Sequence, residues 1–162
     1  MTKQTYSVSD IAKYIINTNF KNGIRINYTR LNIYLYFVQL HNITSTKKPL
    51  FHDNIIIEGL LPYTEITRNK WSRYKFIPIP HITENRDTKN IFETQPQSYI
   101  EANDKKRLDD TITVLNSYRT SELKKIIKSH ILIKSVQFAR DKTITTDMMR
   151  RFREQLPPGK NV

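Results

Sequence analysis

The stretch Thr29-Arg30-Leu31-Asn32-Ile33-Tyr34-Leu35-Tyr36-Phe37-Val38-Gln39-Leu40 constrains this chain more than any other. It holds no Gly or Pro, and most of its residues are large and apolar or aromatic. Its length and its lack of strict alternation predict a helix rather than a strand. Wound as a helix it is apolar on nearly every side, and a helix of that kind has to be buried. One narrow polar stripe remains. Asn32, Tyr36 and Gln39 follow one another at i, i+4 and i+7, so they share a face. Buried amides and phenols need hydrogen-bond partners. The stripe therefore either knits the core to neighbouring elements, its ordinary fate, or faces a pocket.

A helix buried on all sides needs enough chain around it. The 162 residues suffice for one domain with a sizeable core. The expected fold is mainly α: a compact single-domain bundle of about five to seven helices spanning residues 1–156. A short extended or β segment is expected near residues 54–58, a mobile loop at about 81–98, and a flexible tail at 157–162. There is no run of 18 apolar residues, no apolar core at the N-terminus and no cysteine. These features predict a soluble, cytoplasmic protein without disulfides or thiolate chemistry.

Along the chain, Ser7 and Asp10 have the spacing of a helix start, and Val8, Ile11, Ala12 and Ile15 repeat at helical intervals to about Phe20. Gly23 marks the stop, and Asn27 is the cap expected for the central helix. His41 to Pro49 reads as a polar turn. Ile55-Ile56-Ile57 favours an extended segment. Gly59 and Pro62 predict that regular pairing breaks after it. A short helix is expected over Thr64–Tyr74 with Ile66 and Trp71 inward, then extended chain through Phe76-Ile77-Pro78-Ile79-Pro80. The C-terminal half is helical. Leu108, Ile112 and Leu115 share a face; Leu123, Ile126, Ile127 and His130 point inward from a helix opened by Thr120. Ile131 to Arg140 either continues that helix or restarts, and Thr145 caps a last helix carrying Met149, Phe152 and Leu156.

The sequence holds no glycine-rich phosphate loop: Gly23, Gly59 and Gly159 are too scattered. His41, His52, His81 and His130 lack metalloprotease spacing, and His52-Asp53 with Glu58 is a weak metal signal. His130 reads as a core histidine continuing the polar stripe of Asn32, Tyr36 and Gln39. No catalytic residue, metal ligand or cofactor is expected. The net charge of +12 suggests an acidic partner. The basic groups cluster at Lys70-Arg73-Lys75, Lys105-Lys106-Arg107, Lys124-Lys125-Lys128 and Arg150-Arg151-Arg153. The first is interleaved with Tyr63, Trp71, Tyr74 and Phe76, a composition that also suits a nucleic-acid single strand. The residues assigned to a partner surface are Tyr63, Trp71, Arg73, Lys124, Lys128 and Arg150. Tyr63 leads, because a surface loop on a rigid scaffold is where binding residues collect. For Trp71 a place in the core beneath the central helix competes and is favoured.

The order of these features resembles the Panacea-domain family, the phage-associated GepA-like and SocA-like proteins. The resemblance covers about residues 6–153. It rests on the opening Tyr6-Ser7-Val8-Ser9-Asp10-Ile11-Ala12-Lys13-Tyr14-Ile15-Ile16 and on Arg30 to Gln39, similar to that family's Tyr-rich helix. Pro49-Leu50-Phe51 precedes an extended segment as in the family. Ser121-Glu122-Leu123, Ser129-His130 and Ile144 to Phe152 are similar to its C-terminal signature. Ile33, Leu61 and Val136 depart from it. The resemblance implies a mainly helical, non-enzymatic protein from a prophage or mobile element, which neutralises a separately encoded toxin by direct binding. Two alternatives stand beside it: a nucleic-acid-binding accessory protein, and a phage inhibitor of a host defence complex such as a nuclease effector, in the manner of an anti-CRISPR.

Overall fold

The computed structural model describes residues 5–82 and 100–152, together with Pro157 and Gly159. Around the stretch Tyr28–Thr46, which is helix α2, the chain wraps six further α-helices among the described residues. These are α1 (Val8–Lys21), α3 (Glu65–Trp71), α4 (Ala102–Asn116), α5 (Thr120–Ser129), α6 (Ile131–Val136) and α7 (Thr146–Arg151). A single 3-10 turn, Ser72–Tyr74, extends α3. Three short strands, β1 (Ile55–Glu58), β2 (Leu61–Tyr63) and β3 (Thr143–Ile144), form an antiparallel sheet in the order β2-β1-β3. The mainly helical single domain expected from the sequence is what forms. No helix among the described residues is long and apolar enough to cross a membrane. Most of the loop expected over 81–98, including Ile91 and Phe92, lies outside the described residues, as do Arg153, Leu156 and most of the tail.

Helix α2 starts where Asn27 accepts the Arg30 amide at 2.9 Å. Every residue from Arg30 to Leu40 is buried. Helices α1, α3, α4, α5 and α7 and strand β2 all pack on it. Its companion α1 starts where Ser7 Oγ accepts the Asp10 amide at 3.1 Å and buries Val8, Ile11, Ala12, Ile15 and Ile16.

The helix also runs past its predicted end. The polar turn expected from His41 is a further turn and a half of α2, closed by Lys47 in the left-handed conformation (φ 62°). The reason is burial of Asn42 and Ile43. Asn42 Nδ2 donates to the Lys48 carbonyl at 2.8 Å, and the Thr46 hydroxyl donates back to the Asn42 carbonyl at 2.7 Å. Polar side chains here complete the helix end instead of ending it early.

A second correction concerns residues 60–65. Regular pairing does not break there, because Gly59 (φ 56°) and Leu60 (φ 62°) form a two-residue hairpin turn that pairs Glu58 with Leu61 and Ile56 with Tyr63. Pro62 pairs opposite Ile57, between those two positions. In an antiparallel ladder this is a non-hydrogen-bonded place on an edge strand, where a missing N–H costs no ladder bond. Strand β3 gave no sequence signal. It is two residues long, and it pairs with Ile55 and Ile56 far away in the chain.

Candidate interaction surface

The polar stripe of α2 knits the core. The Thr67 hydroxyl of α3 donates to Asn32 Oδ1 at 2.7 Å, and Asn32 Nδ2 donates to the Tyr28 carbonyl. The Gln39 amide grips the chain on both of its atoms: Nε2 donates to the Phe51 carbonyl at 2.7 Å, and Oε1 accepts the Leu50 and Phe51 amides. The Tyr36 hydroxyl meets His130 Nδ1 at 2.9 Å. His130 sits in extended backbone between α5 and α6, so the chain restarts there as a separate short helix. Its ring packs edge-on to Phe37 and against Phe152. It is only half-buried, as is Ile126, so the inward face of α5 is narrower than the spacing predicts.

Sequence reasoning missed the most heavily bonded side chain of this helix, Arg30. It is buried, and its guanidinium donates to the Tyr34 hydroxyl, to Thr120 Oγ1 at 3.1 Å, and to the carbonyls of Leu115 and Tyr118 at 3.3 and 2.8 Å. Those carbonyls lie at the C-terminal end of α4, where a cation meets the negative pole of the helix. Further polar links hold α4 from the other side. The Tyr6 hydroxyl donates to Asp104 Oδ2 at 2.8 Å, and the Tyr14 hydroxyl donates to Asp109. Burial, then these carboxylates, push each phenol up to about 12; at Tyr6 the Glu101 amide partly offsets this. Asp104 also pairs with Arg107, whose Nε donates to Asn42.

The six residues assigned to a partner surface do not come together. Arg150 donates to the Lys47 carbonyl at the C-terminal end of α2, whereas Arg73 belongs to the segment beside its N-terminal end. A 19-residue helix, about 28 Å long, separates those ends. Trp71 has to be withdrawn from the surface. It is buried in the core, and Lys70, whose ammonium lies 5.8 Å from the ring centre, bonds Ser9. Tyr63 is half-buried on β2 and lies under the Arg68 guanidinium, 4.8 Å from ring centre. Arg73 is exposed and stacks on Tyr74. Lys124 is half-buried, and Lys128 and Arg150 are exposed.

Where the structure gathers exposed apolar and cationic groups is the segment Lys75–Ile82. Its backbone is tied at three points. Asn27 Nδ2 donates to the Lys75 carbonyl at 3.1 Å, and the Ile79 amide donates to the Ile26 carbonyl at 2.8 Å. Asn17 and Ile82 exchange two bonds at 3.1 and 3.0 Å. His81 packs on Phe20 with ring centres 4.7 Å apart. Pro78 and Pro80 stiffen the intervening chain. Between the first two ties, Phe76 is 98% and Ile77 57% exposed. The two abutting stretches, 20–27 and 68–82, contain no acidic residue, and they present Lys21, Arg25, Arg73 and Lys75 to solvent. The signal in the sequence was Phe76-Ile77 directly before a proline, in a stretch too irregular to bury both side chains. No group of three or more His, Asp or Glu gathers as a metal would need among the described residues. Comparison with family models, with curated proteins and with solved structures finds no match for the chain.

Proposed function

We propose that this chain is a non-enzymatic protein-binding module that neutralises an acidic partner protein by occluding it, in the manner of an antitoxin from a prophage or mobile element. What carries the reading is Phe76, almost fully exposed on backbone that is tied on both sides. A large apolar side chain on a fixed stretch of backbone costs little main-chain freedom on binding and gains its whole burial, the property of an interface hot spot. The surrounding cations steer an acidic surface toward it and suppress basic ones. The resemblance to the Panacea-domain family supports the same reading, since members bind toxins encoded beside them.

The test is co-expression with the neighbouring open reading frame. That reading frame is expected to arrest growth alone and to be silenced by this chain. The Phe76→Ser variant is expected to lose the protection and to weaken calorimetric binding by about 1–2 kcal/mol or more, with its melting temperature unchanged. A harmless neighbour, or one that is not bound, overturns the assignment. The exposed aromatic among cations also suits a nucleic-acid strand. That second reading takes over if fluorescence anisotropy finds an oligonucleotide bound tightly, with the steep salt dependence of counterion release and loss on Phe76→Ser.

A further inference from the structure

Helix α6 and the turn that follows it are built the wrong way out for an ordinary surface. Leu132, Ile133 and Val136 face the core. The outward residues of α6 are Ile131, Lys134 and Ser135, and Phe138 follows in the turn beyond its end. Ile131 is 64% and Phe138 91% exposed. The turn is not loose. The Gln137 amide donates to the Lys134 carbonyl and the Ala139 amide to the Val136 carbonyl. At its far end the Lys142 carbonyl accepts the Ile57 amide at 2.8 Å, where β3 joins the sheet. The same stretch of chain carries the exposed cations Lys128, Lys134, Arg140 and Lys142. Asp141 is the only acidic residue between Lys124 and Thr143.

We infer that the outer face of α6, centred on Ile131 and Phe138, is a second docking surface, and that it takes an acidic amphipathic helix of a protein partner. The two apolar side chains, one on the helix and one in the turn after it, offer separate anchor points to the apolar stripe of a facing helix. Carboxylates flanking that stripe meet the four cations. A nucleic-acid strand fits less well, because Ile131 has no π face on which a base stacks and a phosphate gains nothing from an aliphatic side chain. A second copy of this chain brings +12 charge against the same cations. The surface is carried by elements other than the 75–82 segment, and it stands whether or not Phe76 is engaged.

The probe is a synthetic helical peptide of about four turns with Leu and Phe at i, i+3 and i+7 and Glu on its flanks. It is titrated into the isotope-labelled full chain and followed by amide chemical shifts. Shifts confined to residues 128–143 are expected, with about tenfold weaker binding for Phe138→Ser and for the charge reversal Lys134→Glu, both melting like the parent. A peptide of the same composition with its apolar stripe scrambled is expected to bind at least about tenfold more weakly than the original. Any of four results overturns the inference: no shift in 128–143, shifts centred on Phe76, equal binding of the scrambled peptide, or preferential binding of oligothymidine or anionic vesicles. If Phe138→Ser loses stability, Lys134→Glu alone decides.

Discussion

Helix α2 and the Lys75–Ile82 segment are both fixed by hydrogen bonds that reach across the chain, yet one buries every side chain from Arg30 to Leu40 and the other leaves Phe76 and Ile77 exposed. In α2 the ties run from side chains: Asn32, Tyr36, Gln39 and Arg30 each bond another element, so side chains and backbone are buried together. In the 75–82 segment the ties run to backbone, through Asn27, Ile26 and Asn17. Bonds made by the main chain fix the path of a segment without drawing its side chains inward. A protein can thereby fix the backbone beneath an exposed apolar group that packing alone would pull into the core.

The largest expected effect that sharpens this comparison is in α2. Phe37→Ala removes a ring that is 1% exposed and packed edge-on to Tyr36 and His130. It is expected to cost about 3–5 kcal/mol in chemical denaturation, with a lower melting temperature. A variant as stable as the parent takes this helix out of the core. Next is Arg30→Met, which removes the charged donor that the buried Leu115 and Tyr118 carbonyls share with Tyr34 and Thr120. About 2–3 kcal/mol is expected in chemical denaturation, since buried hydrogen bonds from a charged donor are strong.

A smaller effect is read through pH. Neutral Tyr6 and Tyr14 hold α4, and their folded pKa of about 12 lies above the ordinary 10.0. The unfolded chain gives up those protons first, so the stability they contribute is complete below pH 10 and is lost as pH rises toward 12. Circular dichroism against pH is expected to show alkaline unfolding, and Tyr6→Phe with Tyr14→Phe to flatten that limb. Smallest of all is Phe76→Ser, expected to change stability by less than about 0.5 kcal/mol. A marked loss would place Phe76 with the buried residues and erase the contrast.

Local signals in the chain served well where the structure is local. Ser7, Asn27 and Thr145 all cap helices as their positions predict, because a cap is decided within three residues. The burial of α2 was legible because it has no wide polar face. What escaped depends on partners remote in sequence. The end of α2 lies at Thr46 because Asn42 finds Lys48 and Arg107. Strand β3 exists because Ile55 and Ile56 are beside it. The role of Arg30 was invisible, since a lone arginine opening an apolar helix reads as a solvated end. For the interaction surface, composition found the cations, but exposure decided which aromatics accompany them: Trp71 went inward and Phe76 outward.

The guanidinium of Arg30 waits for acceptors 85 and 88 residues further along the chain. During synthesis the first half therefore leaves the ribosome with a charge placed for the interior and, of its acceptors, only the Tyr34 hydroxyl one turn away. Burying that charge early, with one neutral acceptor, would cost several kcal/mol, which disfavours closing the half-made core. The carbonyls of Leu115 and Tyr118 remove that penalty, and so couple burial of the central helix to docking of α4. A fragment ending before α4 is expected not to form the core on its own, which circular dichroism of that fragment checks.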